Sequence, residues 1–280
     1  MEMKKRKKVR SVSGVILRIL LTVFAVICAV PLYITFINVF KSTDRITASP
    51  FSLPIPPTME NINNVLTNPN ISVFEMYFNS LVITVTGTVI CILISSMAGY
   101  YLGRTNKRHS KNLYTYFLLG LMVPYVIVYV PLVILFKRVG LVGNLPGLIL
   151  IFISGSISFS VFMFYNFVKS TPIELEESAA MDGAGQLRIF FSIIIPLLKP
   201  CTTTVAIFIG VSMWNDFVTP LIIGQVKTIT VGIYTAIGPH ASNWGQVFAF
   251  VLFACLPIII AYIAAQKQFV AGLTAGAVKG

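Results

Sequence analysis

Long runs without a single charged residue limit what this chain can become. Residues 19–40 lie between Arg18 and Lys41, 76–103 between Glu75 and Arg104, 112–136 between Lys111 and Lys137, and 139–168 between Arg138 and Lys169. A helix rises about 1.5 Å per residue and a bilayer core is about 30 Å thick, so roughly 20 apolar residues make one crossing. A fifth run follows Lys199 and is interrupted by Asp216; a sixth occupies about 247–266, inside the charge-free interval from Lys227 to Lys267. Charged residues make up 11% of the chain, against about 25% in soluble domains. Barrel strands would alternate in polarity over segments of about ten residues, and these runs are solid. The expectation is an all-α membrane protein with six transmembrane helices. They fall at about 15–40, 78–102, 112–136, 145–168, 200–223 and 247–266, in one domain (15–280) behind a basic tail (1–14).

The net charge of +12 raises the question of a nucleic-acid partner, and the placement of the cations answers it. Lys4, Lys5, Arg6, Lys7, Lys8, Arg10 and Arg18 share one side with Arg104, Lys107, Arg108, Lys111, Lys169, Arg188, Lys199, Lys267 and Lys279. The opposite side receives only Lys41, Arg45, Lys137, Arg138 and Lys227. Cations retained in cytoplasmic loops set membrane orientation. The pattern therefore points to the cell membrane with both termini cytoplasmic, and not to nucleic acid. The first apolar run is too long for a cleavable leader and is expected to remain as the first span.

Catalytic and metal motifs are lacking in the sequence. It has no GxxxxGK[ST] phosphate cradle and no HExxH, and His109 and His240 fall in loops on opposite sides. Cys28, Cys91, Cys201 and Cys255 sit in or beside apolar segments without CxxC spacing and read as packing thiols. No catalytic residue, metal site or bound cofactor is expected. The loop 41–77, with Pro50, Pro54, Pro56 and Pro57, reads as a connector between spans. Pro124 and Pro131 interrupt the third span's hydrogen bonding, and Gly99 and Gly103 have the GxxxG spacing that lets helices approach closely. Asp216 lies 17 residues beyond Lys199, about 25 Å along a helix, near the outer interface. Trp214 fits an aromatic belt there. Trp214, Asn215 and Asp216 are the candidates for lining a translocation path.

One passage departs from this apolar background. Of nine acidic residues in the chain, Glu174, Glu176, Glu177 and Asp182 fall together before LRIFFSIIIP. Thr171-Pro172-Ile173-Glu174 reads as a capping box with Thr171 as N-cap, and the acids suit the positive end of a helix dipole. Gly183 is placed to end that helix in a left-handed turn, and Pro196 to open the fifth span. Capping needs one or two acids; the remainder, bracketing small residues, makes a candidate docking surface on the cytoplasmic side. A solvated interfacial helix pair is the other reading of the same pattern.

The passage resembles the EAA loop of ABC-importer permeases: E-A-A, three residues, G, nine residues, I-x-L-P. Glu177-Ser178-Ala179, Gly183 and Ile193-Ile194-Ile195-Pro196 match at those spacings, with Ser178 and Ile195 departing conservatively. Asp182-Gly183-Ala184 is similar to the carbohydrate-uptake branch. YFNSLVITVTGTVICILISSMAGYYLGR, VPLVILFKRVGLVGNLPGLIL and MWNDFVTPLI resemble the smaller permease of maltose-type importers. The resemblance implies a type I importer permease fold with a cytoplasmic coupling helix in an EAA loop at 171–196. Its implied partners are a second, different permease chain, two ATPase subunits that use ATP and Mg, an extracellular solute-binding protein and the lipid bilayer. It implies ATPase docking by Glu176, Glu177, Ser178, Ala179, Asp182, Gly183 and Ala184, with a sugar or oligosaccharide as cargo. Another small polar solute, a stand-alone secondary carrier and a scaffold without a pathway are the competing readings.

Overall fold

The computed structural model describes residues 12–69, 72–237 and 243–277. Most of the basic tail, His240 and Lys279 lie outside the described residues. The elements, in order, begin with α1 (Val12–Val39), α2 (Thr43–Ala48), α3 (Glu60–Thr67) and α4 (Val73–Arg104). There follow α5 (Arg108–Met122), α6 (Tyr129–Arg138), α7 (Leu145–Ser170), α8 (Glu174–Met181), α9 (Gln186–Ile189) and α10 (Ile195–Leu197). The last are α11 (Lys199–Asn215), α12 (Ile229–Ile237) and α13 (Trp244–Ala277).

Among the described residues, four helices are long and apolar enough to cross a bilayer: 14–39, 73–104, 145–170 and 244–263. A pair of helices, 186–197 and 199–215, is long and apolar enough only when taken together, and is bent by 73° between its members. The expected third span is divided. Pro124 offers no N–H and disfavours helix at the residue before it; Val123 is extended (ψ 116°), so α5 stops at Met122, and a 3₁₀ turn (Tyr125–Val128) leads into α6. The fifth also differs from expectation. The bend falls at Leu198, and Pro200, not Pro196, occupies the first turn of the long helix α11, where a missing N–H leaves no bond unmade.

The chain divides into two compact units. The first comprises residues 1–68 and 236–252. Along α1 the apolar side chains stay exposed, Phe24 and Ile27 among them, as a lipid-facing surface requires. Beyond α1 the expected connector folds back on itself. Asn61 Nδ2 donates to the carbonyls of Val39 (2.9 Å) and Lys41 (2.6 Å), and Asn38 Nδ2 to those of Ile34 and Pro50. Lys41 is 1% exposed, its Nζ donating to the Ser49 carbonyl at 2.9 Å and the Pro50 carbonyl at 3.3 Å. Burial lowers the pKa of its ammonium below the ordinary 10.5.

The second unit comprises residues 69–235 and 253–280. Its core, built from α4, α7, α11 and the segment leading into α11, includes Ile83, Phe164, Val168, Phe190, Ile194, Val205 and Ile209. The GxxxG pair is at work here: a Cβ on Gly99 would lie 2.6 Å from Phe164 Cβ, and one on Gly103 would lie 2.9 Å from Val168 Cγ1. Helices α4 and α7 therefore touch at backbone range. Cys91 and Cys201 are buried in this core as free thiols, while Cys28 is exposed.

Proline inside α13 is accommodated from outside the helix. Pro257 has no N–H to give the carbonyl of Phe253. The Tyr77 hydroxyl donates to that carbonyl instead, and Trp214 Nε1 donates to the neighbouring Ala254 carbonyl at 3.0 Å. In lipid, a freed backbone group must find such a partner.

Candidate coupling site

The acidic passage forms an elbow between α7 and α11. At its start the expected capping box does not form. Thr171 turns back to close α7, its N–H bonding to the Val168 carbonyl and its hydroxyl to the Phe167 carbonyl. Pro172 then blocks continuation, and α8 begins at Glu174 after Ile173, with no side-chain cap. Glu174, Glu176 and Glu177 still occupy the first turn, where the helix dipole favours carboxylates.

Its C-terminal end has the left-handed turn the glycine implies. Gly183 has φ +82°, its N–H bonds to the Ala180 carbonyl, and Ala184 N–H bonds to the Ala179 carbonyl, both at 3.0 Å. That is the Schellman arrangement, which satisfies the last carbonyls of a helix. The chain returns through α9, a π-helical segment (Phe190–Ile194) and α10 to the bend at Leu198.

Helical spacing then sorts the elbow's side chains into two faces. The inward face holds Glu176, Ala179 and Ala184, the two alanines packed against the core. Glu176 is 8% exposed. Its Oε1 accepts from Arg104 Nε at 2.7 Å and lies 2.6 Å from the second guanidinium nitrogen, and its Oε2 accepts from the Tyr100 hydroxyl at 2.8 Å. Arg104 also donates to the Thr171 carbonyl at 3.0 Å. The outward face presents Glu174, Glu177, Ser178 and Asp182 around exposed Leu175, Met181 (83%) and Leu187 (68%).

The seven elbow residues singled out from sequence are thus divided. Glu177, Ser178, Asp182 and Gly183 are exposed, while Glu176 is turned to α4 and Ala179 and Ala184 are half-buried against their own chain. Sequence reasoning missed the inward partners Arg104 and Tyr100 and the outward apolar residues. The i, i+3, i+4 and i+7 positions 174, 177, 178 and 181 form one stripe that a helical projection would have found.

At the other candidate region, α11 ends at Asn215 and Asp216 organises the break. Its carboxylate accepts from the Thr219 N–H at 3.0 Å and the Thr219 hydroxyl at 2.6 Å. With that proton committed, the 3.1 Å contact between Thr219 and Tyr129 has the phenol donating. Trp214 is buried against Ala254, and Asn215 is exposed. Among the described residues no three His, Cys, Asp or Glu side chains gather to hold a metal.

Residues 92–274 match the family described as the binding-protein-dependent transport system inner membrane component. The chain belongs to that family. The permease is similar to the diacetylchitobiose uptake system permease protein of Streptomyces coelicolor, 31% identical over 92% of this chain and 86% of the relative. Similarity extends to a probable starch degradation products transport permease of Thermoanaerobacterium thermosulfurigenes, 33% identical over 89% and 91%. It includes an arabinooligosaccharides transport permease of Bacillus subtilis, 32% identical over 94% and 96%. In fold, the permease resembles a chain of a bacterial ABC transporter importing alginate (TM-score 0.81, 22% identity, 95% of this chain and 100% of that one). A second resemblance is to a chain of the MetNI methionine transporter (TM-score 0.58, 16% identity, 71% and 95%). A subunit of this family is not itself an enzyme; hydrolysis of ATP belongs to separate subunits.

Proposed function

We propose that this permease forms half of an inward path for a neutral sugar or oligosaccharide and takes its driving force through the elbow. The reading is supported above all by the elbow's outward face: Glu177 and Asp182 flank exposed Met181 and Leu187 on a segment whose inner side is fixed to the spans. Apolar side chains ringed by carboxylates fit a cleft with a greasy floor and a basic rim on a soluble partner. The cargo class rests on relatives named for uptake of diacetylchitobiose, starch products and arabinooligosaccharides.

The partners in this reading are a second, different permease chain, two ATPase subunits that consume ATP and Mg, and an extracellular solute-binding protein. Both termini and the elbow face the cytoplasm, in keeping with the cation distribution. Asn215, exposed beside the Asp216 break, is the path-lining candidate; Trp214 and Asp216 hold the break in shape. ATP and loaded binding protein drive the cycle only if each favours one of two states of the bundle.

The test is uptake of a panel of labelled neutral trisaccharides by proteoliposomes holding the complete complex. Glu177→Lys is expected to insert normally and to lower ATP-driven uptake by about tenfold or more, since a coupling free energy of 1–3 kcal/mol is at stake. Wild-type uptake by that variant would remove the coupling role from this face.

A further inference from the structure

The outward half of the elbow meets a partner; the inward half has a separate task that the family assignment does not specify. Arg104 is the last residue of α4, Thr171 closes α7, and Glu176 lies in the first turns of α8. One guanidinium and one carboxylate tie all three together, through bonds of 2.7 Å and 3.0 Å. Tyr100, one turn earlier on α4, takes the other carboxylate oxygen, and its ring lies 5.4 Å from that of Phe190 on the returning limb. Both limbs of the elbow are therefore attached to the same turn of the same helix.

An apolar pair of similar volume would hold two helices together at least as well, because desolvating two charges consumes much of their attraction. A buried pair differs from such a seam in direction: fork-like hydrogen bonds resist sliding and rotation, whereas apolar surfaces slip. The connection that needs such resistance is the link at Thr171–Ile173. Its two ends belong to different helices, the Thr171 N–H bonding back to the Val168 carbonyl of α7 and the Ile173 carbonyl accepting from the Glu176 and Glu177 N–H groups of α8, and Pro172 between them has no N–H to carry the bonding across.

We propose that Arg104, Glu176 and Tyr100 form a clamp that makes the elbow, the end of α7 and the end of α4 move as one body, so that displacement of the elbow is delivered to α4 instead of being absorbed at residues 171–173. Arg104, Glu176 and Tyr100 are positioning residues in this reading, acting through the helix ends that they join. The inference rests on the coupling role proposed above.

Its test uses the complete complex with spin labels at Ala180 on the elbow and Met97 on α4, both exposed, in a background with Cys28 and Cys255 replaced by serine. Pulsed electron resonance reads the separation without nucleotide and after trapping with MgATP and vanadate. The wild type is expected to give one narrow distance, unchanged between the two states. Glu176→Gln, with the ATPase still copurifying, is expected to broaden the distribution or shift it by about 3 Å or more on trapping, between a helix slide and a one-turn ratchet in size. The exchange of Glu176→Arg with Arg104→Glu is expected to restore the narrow distance, which a general loss of packing would not allow. Should Glu176→Gln fail to assemble, Tyr100→Phe, which removes one bond and no charge, is expected to broaden the trapped state alone. A wild-type separation that shifts by that amount, or variants that assemble and keep the wild-type distance in both states, would overturn the clamp while leaving the docking face intact. Failure of any ATPase to copurify with the wild type would overturn both.

Discussion

At Gly183 the obstacle to a side chain is backbone conformation alone. A Cβ there would meet nothing within 4 Å, yet φ is +82°. Gly183→Asn should be tolerated, since asparagine visits the left-handed region, whereas Gly183→Val should destabilise the turn by roughly 1–2 kcal/mol. Limited proteolysis of the elbow in the two variants checks the difference. Lys41 is a residue-scale case with the opposite cause. Its pKa is lowered by burial, so the folded chain sheds this proton before the unfolded one does. Stability contributed at this site therefore grows as pH rises from the lowered value toward 10.5. Melting curves of wild type and Lys41→Met between pH 8 and 10.5 should show the wild type gaining relative to the variant.

At the scale of elements, helix identity followed from charge-free length, and helix continuity did not. The run at 76–103 became α4 without interruption, and the run at 139–168 became α7 only from Leu145, past the left-handed Gly140 and Gly143 and the Asn144 cap. The run at 112–136 is equally apolar but was cut at Pro124, whose effect on Val123 depends on whether a neighbouring helix enforces straightness, a tertiary matter. The capping box was legible as a motif and wrong as a structure, because Thr171 had a competing acceptor at the end of α7. The elbow's position and its glycine turn were readable; the inward orientation of Glu176 was not, since its partner lies 72 residues earlier in the chain. The Gly99 contact was readable as a spacing and decided only by packing. Gly99→Ala would set a methyl 2.6 Å from Phe164 Cβ and 2.9 Å from the Tyr165 backbone nitrogen. It should cost about 1–3 kcal/mol, the usual penalty of overpacking, and lower the melting temperature of purified permease. Gly14→Ala, with nothing within 4 Å, should not.

For the molecule as a whole, the wide apolar exposure along α1 and along the outer faces of α4 and α13 belongs to lipid and to other subunits. Permease reconstituted without any ATPase should therefore insert and yet move no labelled trisaccharide, while the complete complex with ATP should. Uptake by the permease alone would restore the stand-alone carrier. The tie between Tyr77 and the Phe253 carbonyl carries a related consequence. Because Pro257 leaves that backbone oxygen to a phenol on α4, α13 is not free to spin about its own axis. Any twist must either strip the oxygen of its only replacement donor among the described groups or drag α4 along. A sequence irregularity that looks like a weak point thus becomes a gear tooth, meshing two spans that share no loop.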